Sequence, residues 1–445
     1  MIFDMKRVKL LPRRGSTTYD RDVKTIERHE LANGLRVCIS PHPSSPVVAV
    51  SVWYGVGSAD EVPGRTGLAH LFEHLMFQGS RNVGKAEHFS MVQAVGGRAN
   101  AATGLDRTFY YERLPPHELE LAIWLEAERM EHLLDGLDQA NLDNQRDVVR
   151  NERRFRIDNQ PYGDAEERLQ ALLYPPGHPY AHEIIGSMED LAAATLDDAH
   201  AFFRTYYSPA NAVVSIAGDV DPDTAIASVD RHFGRIPRGA AVPPRRFPER
   251  RPDASSLVTS DIDAPVSLPR TYLSYPIPPV ASPTWEAFEV IADLLARGRA
   301  SRLYEAVVRS QLAQEVNAWV YPLVDDPARL TVDVTGRHDS HPDGTVSAVL
   351  AEIERLGASG PSDRELDRVR LLRRTEHARD MERMQETADR IGMWASLLGT
   401  PERLNEEVAR YEAVDANLVR DVVGAFLLPD RRVQLTYHPA HRRGV

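Results

Sequence analysis

The chain has 445 residues, 42% hydrophobic and 27% charged, which is too long for one ordinary core and reads as two or more globular domains. Its 65 acidic residues against 53 basic ones leave a formal charge of −12, which argues against nucleic acid as a partner, since that requires a basic face. The single cysteine, Cys38, excludes an internal disulfide and a thiolate metal cluster, and its place in an apolar strand pattern assigns it to packing.

Taken in order, the residues up to about Arg28 are polar and read as a peripheral arm. They contain no apolar run long enough for a signal peptide, and no later stretch reaches a membrane span, so a cytoplasmic location is expected. Two strands follow, Leu35 to Ser40 and Val47 to Tyr54, closed by Gly55-Val56-Gly57. Asp60 stands where a third glycine of a nucleotide loop belongs, so the glycine pair reads as a turn.

The next element is a short helix, with Thr66 as N-cap, Gly79 as stop and Leu68, Leu71, Phe72, Leu75 and Met76 on its apolar faces. Residues three and four apart share a helix face, so His70, Glu73 and His74 stand together. Two neutral imidazoles suit a divalent cation, which then requires an anionic ligand and an open position for water. Among 16 histidines such a spacing also arises by chance, as surface or satisfied core residues, and the case turns on the third ligand.

A helix from Lys85 to Val95 is halted by Gly96-Gly97, and strands at Arg98 to Thr103 and Thr108 to Arg113 form a hairpin. Pro115-Pro116 opens a long amphipathic helix to about Leu134, and Asp138 starts another. On that second helix Glu152 falls three and four residues after Val149 and Val148 and three before Phe155, on the stripe that turns inward. An unpaired buried carboxylate is costly, so Glu152 is the third ligand expected, while Asp147, Arg150 and Arg154 stay in water.

Helical pattern resumes at Ala165 to Leu173 and Leu196 to Arg204, with His178 in a proline-rich loop between them and outside the metal site; Val213 to Ala217 is a strand. Residues 235–264, rich in proline and arginine at their start, read as a linker between an N-terminal domain at 1–234 and a C-terminal one at 265–445. The second half echoes the first. Ala49 to Gly55 is matched by Arg270 to Pro276 and Phe203 to Pro209 by Gly424 to Pro429, at offsets of 221 (270 − 49) and 220 (429 − 209), which indicates a duplicated domain. Where the first copy has its histidine helix the second has Ile291 to Ala296, without histidine. A helix at Ser301 to Gln311, a strand at Leu330 to Thr335 and helices from the capping box Ser362-Asp363-Arg364-Glu365 complete the pattern. The expected class is α+β, each half a mostly antiparallel sheet with helices on one face.

The H-x-x-E-H order resembles that of the pitrilysin-like zinc metallopeptidases, the inverzincins, including the two-domain subunits of the mitochondrial processing peptidase kind. The resemblance runs through Asn33-Gly34, Gly96-Gly97 to Thr103, Asn151 to Arg154, Tyr207 to Asn211 and Gly218-Asp219, so it covers essentially the whole chain. It implies zinc held by His70, His74 and Glu152, Glu73 as the base, and half of a hollow clamshell that encloses an extended peptide. It also implies a substrate strand laid along Asn100, Ala101 and Thr103, small or polar residues that would equally suit an ordinary edge strand.

Two departures accompany it. Gln145 stands where the family often has a second glutamate. Arg309 matches an arginine that the family places on the substrate, but Val316 occupies the position of its companion tyrosine and cannot donate a hydrogen bond. The expectation is therefore a catalytic subunit paired with a homologous subunit lacking the zinc motif, with a homodimer as the alternative. A different class, the non-catalytic structural subunit of a larger complex, is set against this by the intact motif. No G-x-S-x-G supports a serine hydrolase.

Overall fold

The structure is a computed structural model that describes residues 23–248, 257–325 and 327–440. The arm expected before Arg28 lies outside the described residues up to position 22. Beyond it the chain is more regular than expected: Glu27–Glu30 forms strand β1, antiparallel to β2, Arg36–Pro41.

The first sheet adds β3, Val48–Tyr54, β4, Arg98–Thr103, β5, Thr108–Leu114, and β6, Ala212–Gly218, in the order β1-β2-β6-β3-β5-β4. The second contains β7, Val258–Ala264, β8, Arg270–Ile277, β9, Ala313–Tyr321, β10, Ala328–Gly336, and β11, Val433–Pro439, in the order β7-β11-β8-β10-β9. Without β1 the two sheets correspond strand for strand. Each has one parallel pair in the same place, β2 with β6 and β7 with β11, and antiparallel pairs elsewhere. The duplication read from two sequence echoes is thus a repeat of the whole sheet, and the protein is α+β. Strand β7 is the last part of the stretch read as linker; it alternates half-buried and exposed residues and closes the second sheet.

Five helices of the first half matter for the site: α1, Leu68–Leu75, α2, Glu87–Ala94, α3, Leu119–Gly136, α4, Gln139–Arg153, and α5, Ala165–Leu173. Helices α1 and α3 share one core with Val48, Val50, Val52 and Tyr54 of β3. The opposite face of the same sheet is covered by a helix of the second half, Met384–Leu398, whose Met384 and Ala388 pack on Ala49 and Ala217. Burial on both faces explains why every residue of β3 and β6 is buried and why these strands read as continuous apolar runs. Gly392 makes the close approach possible, since a Cβ there would lie 2.4 Å from the Trp53 ring. In exchange, α5 leaves its own half and packs with β11 in the second core. Cys38 is buried in the same core, and burial pushes its thiol up to about 11, in keeping with a packing role.

Candidate metal centre

Helix α1 is anchored at its N-terminus by groups from elsewhere in the sequence. Thr66, expected as the N-cap, instead donates its hydroxyl to Asp190 at 2.6 Å. The capping position falls to Gly67, at φ 88° in the left-handed region, where a Cβ would also meet the Ile185 carbonyl at 2.6 Å. The free amides are satisfied by Glu61, whose carboxylate accepts from Gly67 N at 2.8 Å and Ala69 N at 2.7 Å and lies 3.0 Å from His182 Nε2. A carboxylate at a helix N-terminus also complements the dipole. Glu61 and His182 went unnoticed in the sequence because a cap six residues upstream has no fixed spacing.

Thus held, α1 presents His70 and His74 on one face, toward α4. Glu152 Oε2 stands 3.7 Å from His70 Nε2 and 3.3 Å from His74 Nε2, and one ligand atom from each of the three residues lies within 4.8 Å of the others. This donor set, two imidazoles and a carboxylate, fits a zinc-type ion with an open position. Burial holds His70 low, at about 4, so the ring is neutral and ready to ligate. The hydrogen bond with His74 holds Glu152 below the usual carboxylate range. Arg156, four residues on, places Nη1 2.6 Å from Glu152 Oε1 and fixes the other oxygen. It stands on a π-helical turn, Arg154–Asp158, the kind of helix irregularity found at functional sites.

The apolar stripe that pointed to Glu152 is narrower than the sequence suggested. Val149 is buried, but Val148 is 41% and Phe155 72% exposed, so Glu152 is half-buried at the edge of the stripe. The widened turn at 154–158 carries Phe155 away from the core. Gln145 is buried, and its amide donates to Asn144 Oδ1 at 2.9 Å. Because Asp147 is 74% exposed, Glu152→Gln is expected to lower the metal content of the purified protein at least about tenfold while Asp147→Asn leaves it unchanged. Equal metal content in the two variants would remove Glu152 from the site.

Glu73 stands beside the cluster, close enough to feel the charges of His74 and Glu152, and also reaches β4, where Thr103 Oγ1 donates to its Oε2 at 2.6 Å. Burial pushes this carboxyl up, against the hydrogen bond from Thr103. Strand β4 is one of the two edge strands of the first sheet, and among the described residues its outer side pairs with no strand. Gly104 N donates to Arg107 O at 2.8 Å, so the alternation of an antiparallel pair turns Asn100 and Ala102 toward β5 and leaves the backbone groups of Ala101 and Thr103 on the open side.

Arg309 and Val316 belong to the second half. Arg309 is exposed and paired with Glu305 at 2.9 Å, with no contact to the cluster among the described residues. Val316 is buried in the second core opposite Val334. His178 is buried in its loop, accepting from Tyr180 N at 3.1 Å, away from the cluster. A second group, His88, Glu112 and Glu126, also lies within 4.8 Å, but Arg129 already supplies its cation, ion-paired to Glu126 and 3.8 Å from Glu112.

A duplicated α+β sheet with two histidines and a glutamate converging beside a free edge strand defines a metallopeptidase-type scaffold. Residues 36–175 match the family model described as insulinase, peptidase family M16, and residues 193–372 match that of the peptidase M16 inactive domain. The chain belongs to peptidase family M16. It is 30% identical over 380 residues to the zinc protease PqqE of Helicobacter pylori, spanning 84% of each chain. The crystal structure of a protease from Helicobacter pylori superimposes with a TM-score of 0.88 at 26% identity, over 94% of this chain and all of that one. The periplasmic protease PqqL of Escherichia coli shares the fold, with a TM-score of 0.74 at 20% identity, over 93% of this chain and 47% of that one. No helix among the described residues is long and apolar enough to cross a membrane.

Proposed function

We propose that this chain is a zinc-dependent endopeptidase acting on extended peptides. The observation that carries the reading is the convergence of His70, His74 and Glu152 beside Glu73, within hydrogen-bond reach of the free edge strand β4. When bound there, zinc supplies Lewis acidity and lowers the pKa of a water toward neutrality. Glu73 takes the proton of the attacking water and passes it to the leaving amine. Thr103 holds the Glu73 carboxylate in place for both transfers, and Arg156 keeps Glu152 turned to the histidines.

The substrate adds to β4 as a further antiparallel or parallel strand, hydrogen-bonded to Ala101 and Thr103, with Asn100 beside them. Ala101→Pro removes a donor from the open side without cutting a bond of the β4–β5 ladder. Peptide cleavage is expected to fall at least about tenfold with metal content unchanged, as one lost substrate hydrogen bond in a dry site requires. Unaltered turnover would count against strand addition. The structural-subunit reading has the second half in its favour, where no metal cluster stands among the described residues. The cluster itself, however, lies within the stretch 36–175, and its ligands are all present.

We further infer that the site is completed by a second, homologous subunit. The chain spans about half of PqqL, and a tyrosine's hydroxyl is missing at Val316. A partner lacking the zinc motif would bring its own arginine and tyrosine to the reaction's oxyanion, an interaction worth about two to three powers of ten in rate. The test compares the peptidase rate of the chain alone with that of the chain mixed with such a relative from the same source. A rate that is full alone and unmoved by the partner defeats the heterodimer and leaves the homodimer.

A further inference from the structure

Between Glu152 and α5 the chain passes through Tyr162, whose φ is 60°, in the left-handed region. Ala86 and Gln311 are the other non-glycine residues found there among the described ones, so Tyr162 is the only aromatic one. A bulky side chain is disfavoured in that conformation, which persists only where the surroundings impose it, and strain of this kind gathers at functional sites.

The surroundings that impose it belong to the second half. Tyr162 Oη donates to the Leu268 carbonyl, just ahead of β8, at 2.7 Å. The Arg270 guanidinium lies over its ring at 4.3 Å, and the Tyr437 ring of β11 meets it edge to face with centroids 5.6 Å apart. Two residues on, Asp164 accepts from Tyr437 Oη at 2.6 Å. In the other direction the same segment folds back on the π-helical turn at 154–158. Gly163 N donates to Gln160 O at 3.0 Å, Gln160 N to Ile157 O at 3.1 Å and Gln160 Nε2 to Phe155 O at 3.0 Å. The approach is so close that a Cβ on Gly163 would lie 2.1 Å from the Ile157 carbonyl oxygen. That turn follows Glu152 directly and includes Arg156, which holds Glu152 Oε1.

We propose that Tyr162 is a positioning residue for the metal cluster. The second half holds Tyr162, the fold-back at Gln160 and Gly163 fixes the π-helical turn, and that turn sets Glu152 and Arg156 toward His70 and His74. The inference deepens the peptidase reading and rests on Glu152 being a metal ligand. It gives the second half, which has no metal cluster of its own among the described residues, a part in the site.

The same junction between the halves supplies a control. Tyr174, at the other end of α5, also donates its hydroxyl to a carbonyl of the second half, that of Pro327 at 2.9 Å, and has no hydrogen bond to the π-helical turn among the described residues. The experiment measures zinc affinity of the full chain by competition with a chromophoric chelator. Tyr162→Ala is expected to weaken zinc about tenfold or more, the scale on which outer contacts of a ligand act. Tyr162→Phe keeps the ring between Arg270 and Tyr437 and should restore binding to about threefold below the wild type, the scale of one hydrogen bond. Tyr174→Phe should match the wild type. Wild-type affinity in Tyr162→Ala, or equal affinity of the two phenylalanine variants, overturns the proposal. The phenylalanine pair decides by itself if Tyr162→Ala does not fold. Glu152→Gln keeps the two readings apart: wild-type zinc affinity there removes the ligand itself, whereas a loss there beside an unaffected Tyr162→Ala defeats only the positioning role.

Discussion

Glu73→Gln protein is expected to retain about one zinc per chain and to hydrolyse peptides about 10² to 10⁴ times more slowly than the wild type, the range removed with a general base. The substitution keeps shape and the hydrogen bond from Thr103 Oγ1, because the amide oxygen accepts as the carboxylate did. It leaves His70, His74 and Glu152 untouched, so metal analysis and turnover separate the two roles. Cleavage of a mixed peptide library, with and without a chelator, is the second measurement. Hydrolysis at the wild-type rate would assign the proton transfer to another group, and loss of zinc would make Glu73 a ligand.

Arg245→Met is expected to lower the stability of the protein by about 3–5 kcal/mol, the cost of leaving buried carboxylates without their cation. Arg245 lies in the stretch read as a linker, yet it is tied in on three sides. It holds Asp60, ahead of α1, through two bonds of 2.8 and 3.0 Å, Asp106 at the tip of the β4–β5 hairpin at 2.5 Å, and Asp325 between β9 and β10 at 2.8 Å. Asp60 and Asp106 are buried, so they cannot turn to water when the guanidinium is removed. The neighbouring exposed Arg246 provides the control, since Arg246→Met should stay within about 0.5 kcal/mol of the wild type. Urea unfolding midpoints decide it, and equal midpoints for the two variants would show that the carboxylates find other partners.

The convergence of His70, His74 and Glu152 was legible because its information is local: a helix fixes the angle between His70 and His74, and a separate helix needs a reason to turn Glu152 inward. The duplication was legible for the same reason, in Arg270 to Pro276 and Gly424 to Pro429 repeating short patterns. What escaped was mostly long-range. The contacts of His182 with Glu61 and of Arg245 with three aspartates depend on where the chain returns, and arginine in a proline-rich segment looks the same whether it is solvated or buried; Glu61 on the α1 amides and Arg156 on Glu152 are near in sequence but follow no spacing that marks them out. Strand β7 was missed because its alternation of polar Thr259, Asp261 and Asp263 resembles a loop until a parallel neighbour is known.

The exchange of helices between the halves sets a timetable for synthesis. The central strand β6 ends at Gly218, but the helix that covers the outer face of its sheet begins at Met384, 166 residues later (384 − 218). At roughly 5–20 residues per second, the nascent first half leaves the ribosome with Ala49, Ala217 and Trp53 uncovered by that helix for on the order of 8 to 33 seconds. That interval is long compared with the collapse of the sheet itself, so the apolar face of the first half stays open through most of the synthesis of the second.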